Sequence, residues 1–160
     1  MLTVYLRRDE DARGLLTDAL ARHGVSPLPE IARRKGGKPY FPQYPHLHFN
    51  LSHTRGLCLC GLSDHPVGVD IEVLRPRGEG LWDYCLSPEE RCAFQKNGGG
   101  WLEFYRLFTL KEAWCKYLGK PLGHPARWST PPPFPYRCYM GEGYAAAVCG
   151  EEPPPSLISI

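Results

Sequence analysis

Asp70 and Glu72 stand two residues apart in the stretch Val67-Gly68-Val69-Asp70-Ile71-Glu72. Apolar and acidic residues alternate there, so on a strand both carboxylates point to one face while Val69 and Ile71 point to the other. Glu112 and Lys116 are four apart in Phe108-Thr109-Leu110-Lys111-Glu112-Ala113-Trp114-Cys115-Lys116, which puts them on one face of a helix. Three carboxylates from two elements make an oxygen cage suited to a hard divalent cation. A lysine one turn beyond the third is placed for a phosphate beside that cation. On spacing alone, the first pair also suits a solvent-facing strand edge. The second also suits a surface ion pair of about 0.3–0.5 kcal/mol. Leu107, Leu110, Ala113 and Leu118 predict that the helix packs closely on something. Lys111 points about a quarter-turn from Glu112 and reads equally as a surface lysine or a catalytic one.

The elements around these residues are legible from periodicity and punctuation. Leu2 to Leu6 is β-prone, and Asp9 to His23 reads as a helix with the stripe Leu15, Leu16, Ala19 and Leu20, ended by Gly24. Ser26 to Lys35 reads as a linker with a short helical turn. Leu47 to Ser52 alternates, sending Leu47, Phe49 and Leu51 inward and His48, Asn50 and Ser52 the other way. Ser52 to Gly56 then turns, and Leu57 to Leu62 and Val67 to Val73 are further strands. Arg75 to Gly80 links two halves. Ser87-Pro88-Glu89-Glu90 is a helix start with a capping box, which is the simplest role for Glu90. Trp101 to Leu118 is a long helix closed by Gly119 and Pro121. Strands are expected at Arg127 to Thr130, Tyr136 to Met140 and Tyr144 to Cys149, with loop or polyproline at Pro131-Pro132-Pro133 and Pro153-Pro154-Pro155.

The 160 residues suffice for one domain or two very small ones, and 42% hydrophobic residues suffice for a core. A net charge of +2 does not by itself predict a partner, and no nucleic acid is expected. The basic residues Arg7, Arg8, Arg13, Arg22, Arg33, Arg34, Lys35 and Lys38 nevertheless crowd the first forty positions, which suits a phosphorylated ligand as well as a solvated surface. Seven cysteines are an odd number without a Cys-x-x-Cys pair, so they read as small buried hydrophobes in a reducing compartment. His46 and His48 lack a third ligand for a metal site. No apolar run approaches the ~20 residues of a membrane span, and the expected location is cytoplasmic.

The two acidic segments, taken with Gly37-Lys38-Pro39, Phe49-Asn50-Leu51-Ser52-His53, Ser87-Pro88-Glu89-Glu90 and Gly143 to Cys149, resemble the Sfp-type 4'-phosphopantetheinyl transferases in block order and separation. Phe108 stands where that family usually has tryptophan. The resemblance implies an α+β, pseudo-twofold fold of two similar small halves, 1–74 and 75–160, with the active site between them in a monomer. It implies transfer of 4'-phosphopantetheine from coenzyme A to a serine of an apo acyl or peptidyl carrier protein, with adenosine 3',5'-bisphosphate released. Mg²⁺, with Mn²⁺ as a substitute, would be held by Asp70, Glu72 and Glu112. Glu112, Lys116 and Asp70 would be catalytic, with the serine proton passing to Glu112 directly or through a metal-bound water. Gly37, Lys38, Pro39, Ser52, His53 and Lys116 would contact coenzyme A. The chain passes from its first strand almost directly to the helix at Asp9, where the family usually has a further helical segment with basic residues. Arg8 and Arg13 would substitute for these at the 3'-phosphate. The rival readings are another metal-dependent phosphotransfer enzyme or phosphohydrolase, and a non-catalytic coenzyme A-binding protein.

Overall fold

The computed structural model describes residues 1–78 and 80–160. Glu79, within the linker expected from Arg75 to Gly80, lies outside the described residues. Strand β1 (Thr3–Arg7) leads into α1 (Ala12–Arg22), which buries the expected Leu15, Leu16, Ala19 and Leu20. Asp11 is its N-cap, accepting from the Gly14 amide at 2.8 Å. β2 (Ala32–Arg33), inside the segment expected as a linker with a helical turn, forms a small antiparallel hairpin with β3 (Pro39–Tyr40) just beyond it. Gly37, at φ 83°, makes that reversal. β4 (His48–Thr54) runs two residues beyond the expected strand end and into the expected turn, which is confined to Arg55 and Gly56. β5 (Leu57–Ser63) and β6 (Gly68–Val73) follow.

Helix α2 (Gly80–Cys85) was not anticipated, whereas α3 (Pro88–Lys96) begins with the full capping box between Ser87 and Glu90. α4 (Trp101–Leu118) has the bounds its pattern predicts, and Gly119 closes it at φ 65°. The strand expected at Arg127 to Thr130 is instead a 3-10 turn at Pro125–Arg127 with irregular backbone after it. The Thr130 amide and hydroxyl both go to Glu90 Oε1, at 2.8 and 2.7 Å, rather than to a ladder. β7 (Tyr136–Gly141), β8 (Tyr144–Cys149) and β9 (Ile158–Ser159) follow, β9 being a further element the sequence did not reveal.

The strands form sheets ordered β4-β5-β1-β9 and β6-β8-β7. β1, β4 and β5 pair antiparallel, as do β6, β7 and β8, while β9 joins β1 in parallel. The two units share one plan. In each, a strand, a long helix and two strands follow in sequence, and the last strand sits in the middle of the sheet. The linker expected from sequence starts at Arg75, but hydrogen bonding assigns β6, seven residues earlier, to the second sheet.

Layering follows from side-chain alternation. Val4, Leu6, Leu57 and Leu59 of the first sheet pack against Val69, Ile71, Ala146 and Val148 of the second. α1 covers the first sheet's other face through Tyr5, Phe49, Cys58, Cys60 and Leu62. α4 covers the second sheet through Ala145, Ala147 and Cys149. The run Ala145-Ala146-Ala147 keeps both contacts short. A Cβ added at Gly68 would lie 2.1 Å from the Ala113 carbonyl oxygen and 2.3 Å from the Tyr117 nitrogen, so only glycine lets the α4 backbone approach β6 this closely. All seven cysteines are free, and most are buried. Among the described residues, no helix is long and apolar enough to cross a membrane.

Candidate active site

Gly68, Asp70 and Glu72 alternate onto the face of β6 that α4 covers, so the contact at Gly68 brings the α4 side chains toward the two acids. Lys116 Nζ donates to Asp70 Oδ1 at 2.7 Å and to Ser52 Oγ at 3.1 Å. Ser52 Oγ donates to the same Asp70 oxygen at 2.8 Å. Three elements, β4, β6 and α4, therefore meet at one carboxylate of one chain. The second Asp70 oxygen, Oδ2, is buried and has no hydrogen-bond partner among the described residues.

Burial pushes the Asp70 carboxyl above the usual carboxylate range, while Lys116 and Ser52 pull it back. Burial raises Glu72, the Asp70 charge raises it further, and Thr54, 3.4 Å from Glu72 Oε2, opposes this. Glu112 is raised by burial, then by the charges of Asp70 and Glu72, with Lys116 acting the other way. The three acids are thus close enough to repel one another, and Lys116, joined by Arg77 at Glu72, offsets them. Among the described residues, no three His, Cys, Asp or Glu side chains stand as a preassembled cage. The donor chemistry nonetheless fits a hard cation. It is all oxygen, it is electrostatically strained, and Asp70 Oδ2 is unpaired.

Beside this cluster lies a cleft of about 190 Å³ lined by Gly36, Gly37, Lys38, Pro39, Asn50 and Lys116. Lys38 Nζ donates to the carbonyls of Tyr117 at 2.8 Å and Val67 at 3.1 Å, tying the β2–β3 turn to the end of α4. Burial and then the Arg34 charge lower its pKa to about 8. A second groove shares Lys38 and Pro39 and adds Arg34, Tyr40, His48 and Tyr117. The Arg34 guanidinium lies 5.0 Å from the Tyr40 ring centroid. These are cationic and aromatic groups suited to a phosphorylated base.

The residues singled out from sequence divide. Asp70, Glu112, Lys116 and Ser52 converge, with Glu72 alongside, and Gly37, Lys38 and Pro39 line the adjoining cleft. His53 does not join them. Alternation turns it to the face shared with Phe49, and it is exposed, in register with Cys58 and, beyond it, Arg7. Arg8 and Arg13 are exposed around the start of α1 and line neither the cleft nor the groove. His46 is exposed, and His48 belongs to the groove. Lys111 is neither a surface lysine nor a member of the cluster. It is fully buried and donates to Glu90 Oε2 at 2.5 Å, Cys85 O at 2.6 Å and Pro125 O at 3.1 Å. Sequence reasoning missed Asn50 and Tyr40 as site residues and gave Arg34 only as one of the basic residues in the first forty positions. The signal for Asn50 was its place two residues before Ser52 on one strand face.

A family profile described as the 4'-phosphopantetheinyl transferase superfamily matches residues 66–149, more than half of the chain. A 4'-phosphopantetheinyl transferase of Bacillus subtilis is 31% identical over 130 residues, covering 76% of this chain and 58% of that protein. The 4'-phosphopantetheinyl transferase AcpT of Escherichia coli is 41% identical over 112 residues, covering 67% and 57%. The 4'-phosphopantetheinyl transferase psf-1 of Bacillus pumilus is 31% identical over 121 residues, covering 70% and 52%. The chain spans between half and three-fifths of the length of these relatives. The matched segment contains β6 with Asp70 and Glu72, α4 with Glu112 and Lys116, and the β7–β8 hairpin. The chain belongs to the 4'-phosphopantetheinyl transferase superfamily.

Proposed function

We propose that this chain transfers the 4'-phosphopantetheine group of coenzyme A to a serine hydroxyl of an apo acyl or peptidyl carrier protein. The observation that carries this reading is the meeting of Asp70, Ser52 and Lys116 beside Glu112 and Glu72, at the head of a cleft lined with cationic groups. The serine oxygen bonds to the β-phosphorus of the pyrophosphate. The bond to the bridging oxygen breaks, and adenosine 3',5'-bisphosphate leaves with that electron pair. Asp70, Glu72 and Glu112 would hold Mg²⁺, or Mn²⁺ in its place, which supplies charge neutralisation for the pyrophosphate.

The chain's own groups have distinct tasks. Lys116 donates to a phosphoryl oxygen as charge grows there. Glu112 receives the serine proton. Lys38 and Arg34 meet phosphate charge, and Tyr40 offers the base an aromatic face. Arg8, Arg13 and His53 lie apart from this groove, so Arg34 is the better-supported partner for the 3'-phosphate. We read the two layers as pseudo-twofold halves with one complete site in a monomer. The shared strand-helix-strand-strand plan supports this.

The test is intact-mass analysis of candidate apo carriers after incubation with the chain, coenzyme A and Mg²⁺. A gain of one phosphopantetheine is expected. Coenzyme A cleaved while every carrier stays unmodified would favour a phosphohydrolase instead. Calorimetry should show coenzyme A binding more tightly than its dephospho form, and Arg34→Ala should shrink that preference more than Arg13→Ala.

A further inference from the structure

β6 hydrogen-bonds to β8 along one edge, and among the described residues no strand pairs with the other. An unpaired edge in a buried seam leaves amide donors that must be satisfied. Here β4 satisfies them with side chains. Asn50 Oδ1 accepts from the Val69 amide at 2.8 Å, and Ser52 Oγ accepts from the Ile71 amide at 3.3 Å. Two residues on, the Thr54 hydroxyl reaches Glu72 Oε2. Asn50, Ser52 and Thr54 thus form a polar ladder, spaced by the two-residue period of one strand face. The ladder matches β6 rung by rung.

Asp70 lies between the two anchored amides. Its Cα is held on both sides, and Ser52 also fixes its Oδ1. Oδ2 therefore has a set position although none of the described residues bonds it directly. Asn50 is buried and reaches Asp70 only through the backbone, yet it also lines the cleft with Lys38 and Lys116.

We infer that Asn50 is a positioning residue: by holding the Val69 amide it sets the place of the Asp70 carboxylate in the site. The inference rests on the proposed transferase reading and adds a residue to it. It separates two roles on one strand. Asn50 acts on the protein's own backbone, so its loss should change turnover rather than coenzyme A binding.

The full chain carrying Asn50→Ala tests this by three readouts. Amide-resolved hydrogen exchange should show Val69 opening at least about tenfold faster than in the wild type, with β8 amides unchanged. Mn²⁺ titrated by electron paramagnetic resonance should bind at least about threefold more weakly, because one ligand is misplaced. The kcat for transfer should fall about tenfold or more, while KM for coenzyme A moves less than about twofold. Asn50→Asp keeps an acceptor oxygen and should restore Val69 protection and part of kcat. This variant also decides the matter if Asn50→Ala fails to fold. Unchanged Val69 exchange overturns the inference whatever the activity. So does wild-type kcat and Mn²⁺ affinity in Asn50→Ala, or a raised KM with kcat intact, which would make Asn50 a ligand contact. A wild-type chain that transfers nothing defeats the transferase reading instead. The exchange and Mn²⁺ results then judge Asn50 separately.

Discussion

Asp70 is held between opposing influences, with burial favouring its neutral form and Lys116 favouring the carboxylate. Glu72 and Glu112 are raised too, first by burial and next by the Asp70 charge. These three acids therefore bind more protons in the folded chain than in the unfolded one, from the ordinary carboxylate range of about 4 up to the raised values. Without a divalent cation, their contribution to stability should fall as pH rises through that window. Mg²⁺ binds the ionised set, so its increment in Tm should grow through the same window and level off above it. Thermal scans with and without Mg²⁺ at stepped pH check this; an increment that ignores pH would contradict it. Lys38 gives a second residue-scale prediction. Its ammonium is lost as pH passes about 8, so coenzyme A affinity should weaken there, and Lys38→Arg should flatten that dependence. Calorimetry across pH 7 to 9.5, a span of about 2.5 units around the shifted value, measures it. The acids and Lys116 were legible in sequence because strand and helix periodicity put each pair on one face. Lys111 was not, because its three acceptors come from distant segments.

At the scale of elements, the site depends on how closely α4 lies on β6. Gly68→Ala would drive a methyl into the backbone at Ala113 and Tyr117, displacing Glu112 and Lys116 from Asp70. Transfer should fall about a hundredfold, since a misplacement of about 1 Å is enough for that, while far-ultraviolet circular dichroism stays near wild type. Unaltered activity would show that the close contact is not needed. The other support of α4 is the buried Lys111–Glu90 pair, where hydrogen bonds from Lys111, Thr130 and Ser87 overcome the upward push of burial and lower the Glu90 pKa. Lys111→Met leaves that carboxylate buried without its counter-ion and should cost about 3–5 kcal/mol in urea unfolding, with much of it recovered by adding Glu90→Gln. A loss below about 1 kcal/mol would mark the pair as dispensable. The bounds of α4 and the cap of α3 were readable because Gly, Pro and Ser mark them. α2 is a single short segment without a cap signal, and β9 is two residues long. Both owe their structure to tertiary neighbours.

At the scale of the whole molecule, the two sheets face each other through Val4, Leu6, Leu57 and Leu59 on one side and Val69, Ile71, Ala146 and Val148 on the other. The α+β class was legible from alternating strands and amphipathic helices. The strand partition was not, because pairing β6 with β8 joins residues more than seventy positions apart, which no local pattern encodes. Such packing lets Ser52, Asp70 and Lys116 of a single chain meet without a second copy. The most direct test of the central claim is a transfer assay read by intact mass, with apo carrier, coenzyme A and Mg²⁺, run beside Asp70→Ala, Glu112→Gln and an EDTA control. The account predicts one phosphopantetheine gained per carrier by the wild type. It predicts one adenosine 3',5'-bisphosphate released for each, and loss of both in the two variants and in EDTA. Full transfer by Asp70→Ala, or undiminished transfer in EDTA, would contradict it.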